Sequence, residues 1–135
     1  MSDGKVGRAI TDWVYVDVDG TLLLWPDEPG HPTKEQTENL KKWWNGKPYN
    51  EKLLPKVNKR LVEELEKWQK RRNGTIVIWT MGGEEHAQIA LHMTKLISGA
   101  VRCMAKPDLM IDDGQRHLMA KHPVVLPSDF KCPDD

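Results

Sequence analysis

Polar side chains that could carry out chemistry stand directly after four apolar runs of this sequence. They are Asp17 with Asp19, Thr80, Lys106, and Asp112 with Asp113. The set combines several carboxylates with one hydroxyl and one ammonium group. Carboxylate oxygens are ligands that Mg²⁺ prefers, and the ion would neutralise repulsion among the acids and between them and a phosphoryl group. The set therefore predicts phosphate chemistry supported by Mg²⁺.

The four apolar runs have the composition of buried strands. They cover residues 13–16, 75–79, 100–104 and 109–111, and the first two are rich in β-branched and aromatic side chains. Such continuous runs are typical of parallel strands that are covered on both faces. Because ligand sites in parallel sheets lie beyond the carboxyl ends of the strands, we expect the polar residues to meet at one edge.

Two amphipathic helices are predicted between these strands. The first begins at about Leu54 and ends at Asn73-Gly74, and the second follows Gly83 and ends at Gly99. Their predicted inner faces are Val57, Leu61, Leu65 and Trp68 in the first helix, and Ala87, Ala90, Leu91, Thr94 and Ile97 in the second. Alternating strands and helices predict a single α/β domain over residues 1–135, with a three-layer, doubly wound parallel sheet.

Residues 33–46 leave two structures open. Thr33 and Gln36 have the spacing of a capping box, which would begin a short helix. Asn45-Gly46 is a strong hairpin turn, and the hairpin is the interpretation that we favour. In either form we expect residues 26–50 to be a flap or small insert over the site.

In order and spacing, these residues resemble the four motifs of the haloacid dehalogenase (HAD) superfamily. The matching stretches are residues 17–21, 76–80, 106–107 and 110–113, so the resemblance spans residues 13–113. About 54 residues separate the first two motifs, too few for a large cap domain. The chain therefore resembles capless or minimally capped HAD phosphatases, including small phage and bacterial members and the phosphatase part of polynucleotide kinase/phosphatases.

The resemblance implies covalent catalysis by the first motif. Asp17 is expected to attack phosphorus and form an aspartyl-phosphate, which divides a difficult hydrolysis into two easier steps. Asp19 is expected to protonate the leaving oxygen and then to deprotonate the attacking water. Dehalogenases and phosphate-transferring ATPases of the family generally lack an acid at the second position, so Asp19 favours phosphatase activity.

The second and third motifs imply phosphate binding. Thr80 and the backbone N–H of Met81 are expected to hold phosphoryl oxygens, while Gly82 and Gly83 allow a close turn into a helix N-terminus that favours anions. Lys106 is expected to offset negative charge on the transferring group and on Asp17.

The first and fourth motifs imply a Mg²⁺ site. Asp17, the backbone carbonyl of Asp19, and Asp112 are the expected direct ligands, and Asp113 is expected to orient a metal-bound water. The order within the Asp112-Asp113 pair stays open. Many family members carry a further Asp after this motif, whereas residues 114–116 here are Gly-Gln-Arg. The sequence therefore does not predict which residues surround the metal ligands.

Two other residues near the motifs have alternative interpretations. Trp25 directly follows the first motif, where the family places a flap, and is a candidate to stack on a nucleobase or sugar of the leaving group. His86 stands one turn into the helix after Thr80, and we interpret it as a structural or solvent-exposed histidine rather than a site residue.

Composition limits the partners and the location. The formal net charge is zero, but residues 41–72 hold 11 of the 20 basic residues against four acids, a local net charge of +7. A solvated helix face is the favoured interpretation of this excess, and attraction of an anionic substrate is the alternative. No run of 18 apolar residues occurs, and the two cysteines lack metal-ligand spacing, so we expect a cytoplasmic protein without membrane contact. The sequence does not indicate an oligomeric state.

The expected substrate is a nucleotide or, less strongly, the phosphorylated end of a polynucleotide. One alternative is a receiver-like signalling domain that accepts a phosphoryl group. The chain order argues against it, because receivers carry their acidic pair near the first strand rather than in the last motif. The other alternative is a binding module on an inactive HAD scaffold, which would use the basic stretch 41–72 to bind nucleic acid or protein.

Overall fold

The structure is a computed structural model that describes residues 12–109, residue 111 and residues 126–132. Its strands are β1 (Trp13–Val16), β2 (Leu23–Leu24), β3 (Lys56–Val57), β4 (Thr75–Thr80) and β5 (Ala100–Ala105). Its α-helices are α1 (Lys34–Trp44), α2 (Lys59–Arg72) and α3 (Glu84–Thr94), with a 3₁₀ turn at Glu51–Leu53. The expected metal ligands Asp112 and Asp113 lie outside the described residues.

Three of the four predicted strands form a parallel sheet in the order β1-β4-β5. Val16 is paired with Ile78, and Thr80 is paired with Ala105. The chain after β1, β4 and β5 therefore emerges at the same edge. The predicted fourth strand is not present at Leu109 or Ile111, which have no strand assignment and are exposed.

Both long crossover helices pack on one face of this sheet. Side chains alternate between the faces of a strand, and the core cluster takes Val16, Ile76 and Ile78 from one face. Leu61 and Leu65 of α2 and Ala87 and Ala90 of α3 cover the same cluster. Burial of these apolar groups is the main force that holds the helices against the sheet.

Residues 34–44 are helical, so the favoured hairpin interpretation was wrong. The Thr33 side chain accepts a hydrogen bond from the Gln36 backbone, and the Gln36 side chain accepts one from the Thr33 backbone. Asn45 is the C-cap, and Gly46 follows with φ +71°. The Asn-Gly pair therefore ends a helix here and does not form a hairpin turn. Both structures need a residue with positive φ, which glycine adopts readily.

The boundaries of the two predicted helices also differ. Helix α2 begins at Lys59 rather than near Leu54, because Lys56–Val57 pairs antiparallel with β2 and Asn58 caps the helix. Helix α3 ends at Thr94, where the left-handed C-cap Lys95 reverses the chain. Ile97 consequently lies beyond the helix and is 68 % exposed instead of joining its inner face.

The described chain is thus α/β, with a parallel three-stranded sheet and three α-helices, and is compatible with a Rossmann-like fold. Within the ranges given above, no helix is both long enough and apolar enough to cross a membrane.

Candidate active site

Asp17 and Lys106 meet at the carboxyl edge of the sheet. Asp17 is the first residue after β1, and Lys106 is the first residue after β5. The Lys106 ammonium lies 3.2 Å from Asp17 Oδ1, although 89 positions separate the two residues in the chain. Both side chains are partly exposed, at 29 % for Lys106 and 40 % for Asp17. The pair is therefore formed by the fold and is accessible from solvent.

The position of Lys106 is fixed by its backbone and by a neighbouring ring. Its backbone N–H donates to the carbonyl of Thr80, which continues the pairing of β4 with β5 past the strand end. Its ammonium also lies 5.6 Å from the ring centroid of Trp79, a cation–π contact. These contacts direct the charge of Lys106 toward Asp17, where the sequence predicted that it would act.

Asp19 is held by two side chains from different elements. The indole Nε1–H of Trp25 donates to Asp19 Oδ1 at 2.8 Å, and His86 Nε2 lies 2.9 Å from the same oxygen. An ionised carboxylate can only accept hydrogen bonds, so Nε2 of His86 carries the donated hydrogen. Oδ1 of Asp19 therefore receives two donors.

These donors change the acidity of Asp19. Burial by itself raises the pKa of the Asp19 carboxyl, whereas the hydrogen bonds from His86 and Trp25 lower it. Electrostatic interactions with His86 and Lys106 lower it as well, and together these contacts hold the pKa below its ordinary value of 3.8. Asp19 is consequently ionised at neutral pH in this arrangement.

Thr80 ends β4 and is almost fully buried, at 2 % exposure. Its hydroxyl oxygen accepts a hydrogen bond from the backbone N–H of Gly82 at 3.1 Å, which leaves the hydroxyl hydrogen to donate to another group. Met81 is exposed, and helix α3 begins after Gly83 without a side-chain cap. A loop of this kind, with N–H groups at the start of a helix, is suited to binding an anion.

Gly82 makes room for the His86 side chain. A Cβ atom on Gly82 would lie 3.0–3.2 Å from three atoms of the His86 side chain, closer than ordinary packing allows. The absence of a side chain thus makes room for His86, whereas the positive φ of the turn falls on Gly83 at +99°.

His86 was not predicted to belong to the site. It is 8 % exposed and contacts Asp19, so the structural or solvent-exposed interpretation missed its contact. Its position in the sequence could have indicated this contact. His86 stands one turn after Thr80, in a helix whose N-terminus was already predicted to lie at the site.

Trp25 is placed differently from the expected stacking residue. Its ring is 2 % exposed and packs with Leu40 of α1 and Ile89 of α3. It therefore offers no open face to a leaving group in this structure, and its polar atom points to Asp19 instead. The insert that contains α1 is attached to α3 through this cluster.

The donor set of the first motif fits Mg²⁺. The carboxylate of Asp17 supplies oxygen ligands, and within the described ranges no N–H group donates to the backbone carbonyl of Asp19. This carbonyl therefore retains its capacity to bind a cation, as expected for the site. Residues 12–109, 111 and 126–132 contain no cluster of three or more acidic, His or Cys side chains placed to hold a metal. The two remaining expected ligands, Asp112 and Asp113, are not among them.

Comparison with known proteins finds no matching family model, no matching curated protein and no matching solved structure. The functional argument therefore depends on the residues of this chain and their geometry.

Proposed function

We propose that this protein is a Mg²⁺-dependent phosphomonoester hydrolase of the HAD type, in which Asp17 is the nucleophile. The observation that carries the proposal is the ion pair between Asp17 and Lys106 at the ends of β1 and β5. A carboxylate held 3.2 Å from an ammonium group is ready to meet an anionic substrate, because the cation offsets the repulsion between two negative charges.

The order of the sheet supports the same proposal. With the order β1-β4-β5, Asp17, Thr80 and Lys106 all stand at one edge, each at the carboxyl end of its strand. This is the edge at which open α/β sheets bind ligands. We extend the proposal to a three-layer, doubly wound HAD-type domain, in which Asp112 and Asp113 join this edge.

The proposed reaction has two steps. Asp19 first takes up a proton from solvent, because its contacts in this structure favour the ionised form. A carboxylate oxygen of Asp17 then forms a bond to phosphorus as the ester P–O bond breaks, and Asp19 gives this proton to the leaving oxygen. Ionised Asp19 then takes a proton from a water molecule, which attacks phosphorus, releases inorganic phosphate and restores Asp17. The lowered pKa of Asp19 in this structure corresponds to the state that accepts the proton.

Other residues hold the phosphoryl group in place during both steps. The Thr80 hydroxyl and the backbone N–H of Met81 donate to phosphoryl oxygens, and Lys106 offsets their charge. Asp17, the Asp19 carbonyl, Asp112 and Asp113 would hold Mg²⁺, which supplies charge neutralisation for the acids and the phosphoryl group. The proposed substrate is a nucleotide or the phosphorylated end of a polynucleotide.

The first test is phosphate release from p-nitrophenyl phosphate with Mg²⁺, with EDTA, and in the variant Asp17→Asn. We expect Mg²⁺-dependent release by the wild type and a loss of at least about 1,000-fold in Asp17→Asn, because an amide is a poor nucleophile. Asp129→Asn is the matched control, because Asp129 lies in a turn whose neighbours bind α2. Asp129→Asn should keep the wild-type activity, and activity that survives Asp17→Asn would contradict the mechanism.

The same preparation separates the alternative functions. A stable aspartyl-phosphate after treatment with acetyl phosphate, without turnover, would indicate a receiver-like domain. Salt-sensitive binding of oligonucleotides without hydrolysis would indicate a binding module.

A further inference from the structure

The two hydrogen-bond donors on Asp19 come from buried side chains that are fixed independently of each other. Trp25 is held by the apolar cluster of Leu40 and Ile89, and His86 is held in the first turn of α3 against Gly82. Their exposed fractions are 2 % and 8 %. We call Trp25 and His86 the Asp19 clamp.

The clamp engages only one of the two carboxylate oxygens. Both donors reach Oδ1, at 2.8 Å and 2.9 Å, while the Asp19 side chain retains 23 % exposure. The carboxylate is thus anchored through Oδ1, and Oδ2 has no hydrogen-bond donor among the described residues.

A carboxylate that transfers protons needs a fixed orientation and an accessible oxygen. Two donors from different directions stop rotation about the side-chain bonds, which would otherwise spread the carboxylate over several positions. Proton transfer in turn requires the oxygen to come within hydrogen-bond reach of the leaving group. The clamp satisfies both conditions.

We propose that Trp25 and His86 are positioning residues that hold Oδ1 of Asp19, so that Oδ2 is the oxygen that exchanges the proton with the leaving group. This inference rests on the proposed phosphatase function and adds two residues that the motif pattern does not contain. It also gives the 26–50 insert a role, because the packing of α1 holds Trp25 and thereby Asp19.

The test compares two substrates that differ in their need for a proton. Phenyl phosphate releases a poor leaving group that needs protonation, whereas 2,4-dinitrophenyl phosphate releases a stable anion that does not. The measured quantity is kcat/KM with Mg²⁺, which reports on the step in which the ester bond breaks. Trp25→Phe removes the indole donor but keeps a ring, and His86→Leu removes the imidazole donor.

We expect each variant to lose on the order of 30-fold in kcat/KM for phenyl phosphate and less than about 3-fold for the dinitrophenyl ester. The larger loss is smaller than the whole contribution of general acid–base catalysis, because Asp19 itself is still present. His86→Gln, whose amide can reach the same oxygen, should recover much of the loss. Trp13→Phe and His92→Gln are matched controls, because Trp13 contacts Arg102 at the far end of β1 and His92 contacts Trp44, and neither contacts Asp19. They should leave the ratio between the two substrates unchanged.

The outcomes separate the two proposals. A wild type that hydrolyses neither ester with Mg²⁺ overturns the proposed function and the role of the clamp together. An active wild type whose clamp variants lose equally on both esters overturns the clamp alone, since general structural damage does not discriminate between leaving groups. If His86→Leu does not fold, as judged by circular dichroism, Trp25→Phe and His86→Gln still give the comparison.

Discussion

Replacing Gly20 with alanine tests the backbone geometry that presents Asp19. Gly20 has φ +78°, and its N–H donates to the carbonyl of Leu23 at 2.8 Å. A Cβ atom at this position would lie 2.7 Å from the Cα atom of Gly30, a distance that real Cβ atoms essentially never show. The variant therefore combines an unfavourable φ with a collision between two backbone segments.

The expected loss is the sum of these two effects. An alanine with positive φ costs about 1–2 kcal/mol, and displacing packed backbone costs about 1–3 kcal/mol more. A total of about 3 kcal/mol corresponds to a decrease in Tm of about 10 °C for a chain of this size. Because Gly20 follows Asp19 directly, the displacement should also lower the proposed phosphatase activity.

Gly46 provides a matched control. Its φ is +71°, but an added Cβ atom would meet nothing within 4 Å. Gly46→Ala should therefore lose only the conformational part, about 1–2 kcal/mol. Gly30→Ala should be close to neutral, because its Cβ atom would be an ordinary 4.0 Å from Gly20.

The assay is urea unfolding of the wild type and the three alanine variants, with thermal unfolding as a second measurement. The difference between Gly20→Ala and Gly46→Ala isolates the collision with Gly30. Equal losses in these two variants would refute the close approach of the two segments, and with it this account of how the Asp19 loop is held.

Three further predictions concern other parts of the molecule. Thr33→Ala should lose about 1 kcal/mol in urea unfolding through loss of the α1 N-cap, and a change near zero would contradict the capping-box role. The backbone N–H of Cys132 donates to the Glu64 carboxylate and lowers its pKa from the ordinary value of 4.5. The hydrogen bond therefore stabilises the fold above pH 4.5, and this stabilisation is lost as the pH falls through the lowered pKa. The Tm of the wild type should therefore exceed that of Glu64→Gln at pH 6, with the difference closing toward pH 3; a pH-independent difference would argue against this origin. Gly82→Ala should push the His86 ring from Asp19 and lower kcat about 10-fold with little change in Tm, whereas unchanged kcat would show that the ring can move without consequence.

The sequence by itself determined the central sheet. Short apolar runs predicted β1, β4 and β5. The expected burial on both faces holds for most of β4, whereas β1 and β5 leave several side chains exposed. Since parallel strands share one carboxyl edge, the same pattern predicted that Asp17, Thr80 and Lys106 stand together there, and their strand ends do so. The contact between Asp17 and Lys106 agrees with this reasoning.

Tertiary structure decided two kinds of feature. In one kind the local sequence suits more than one structure, and in the other the contacting residues are far apart in the chain. Asn45-Gly46 suits both a hairpin and a helix end, and the packing of Leu40 against Ile89 accompanies the helical outcome. The hydrogen bonds of Trp25 and His86 to Asp19 join residues 6 and 67 positions apart. No periodicity encodes such contacts, because they depend on how α1 and α3 pack beside the sheet. The residue types predicted the chemistry of the site, and only packing determined which oxygen of Asp19 is held.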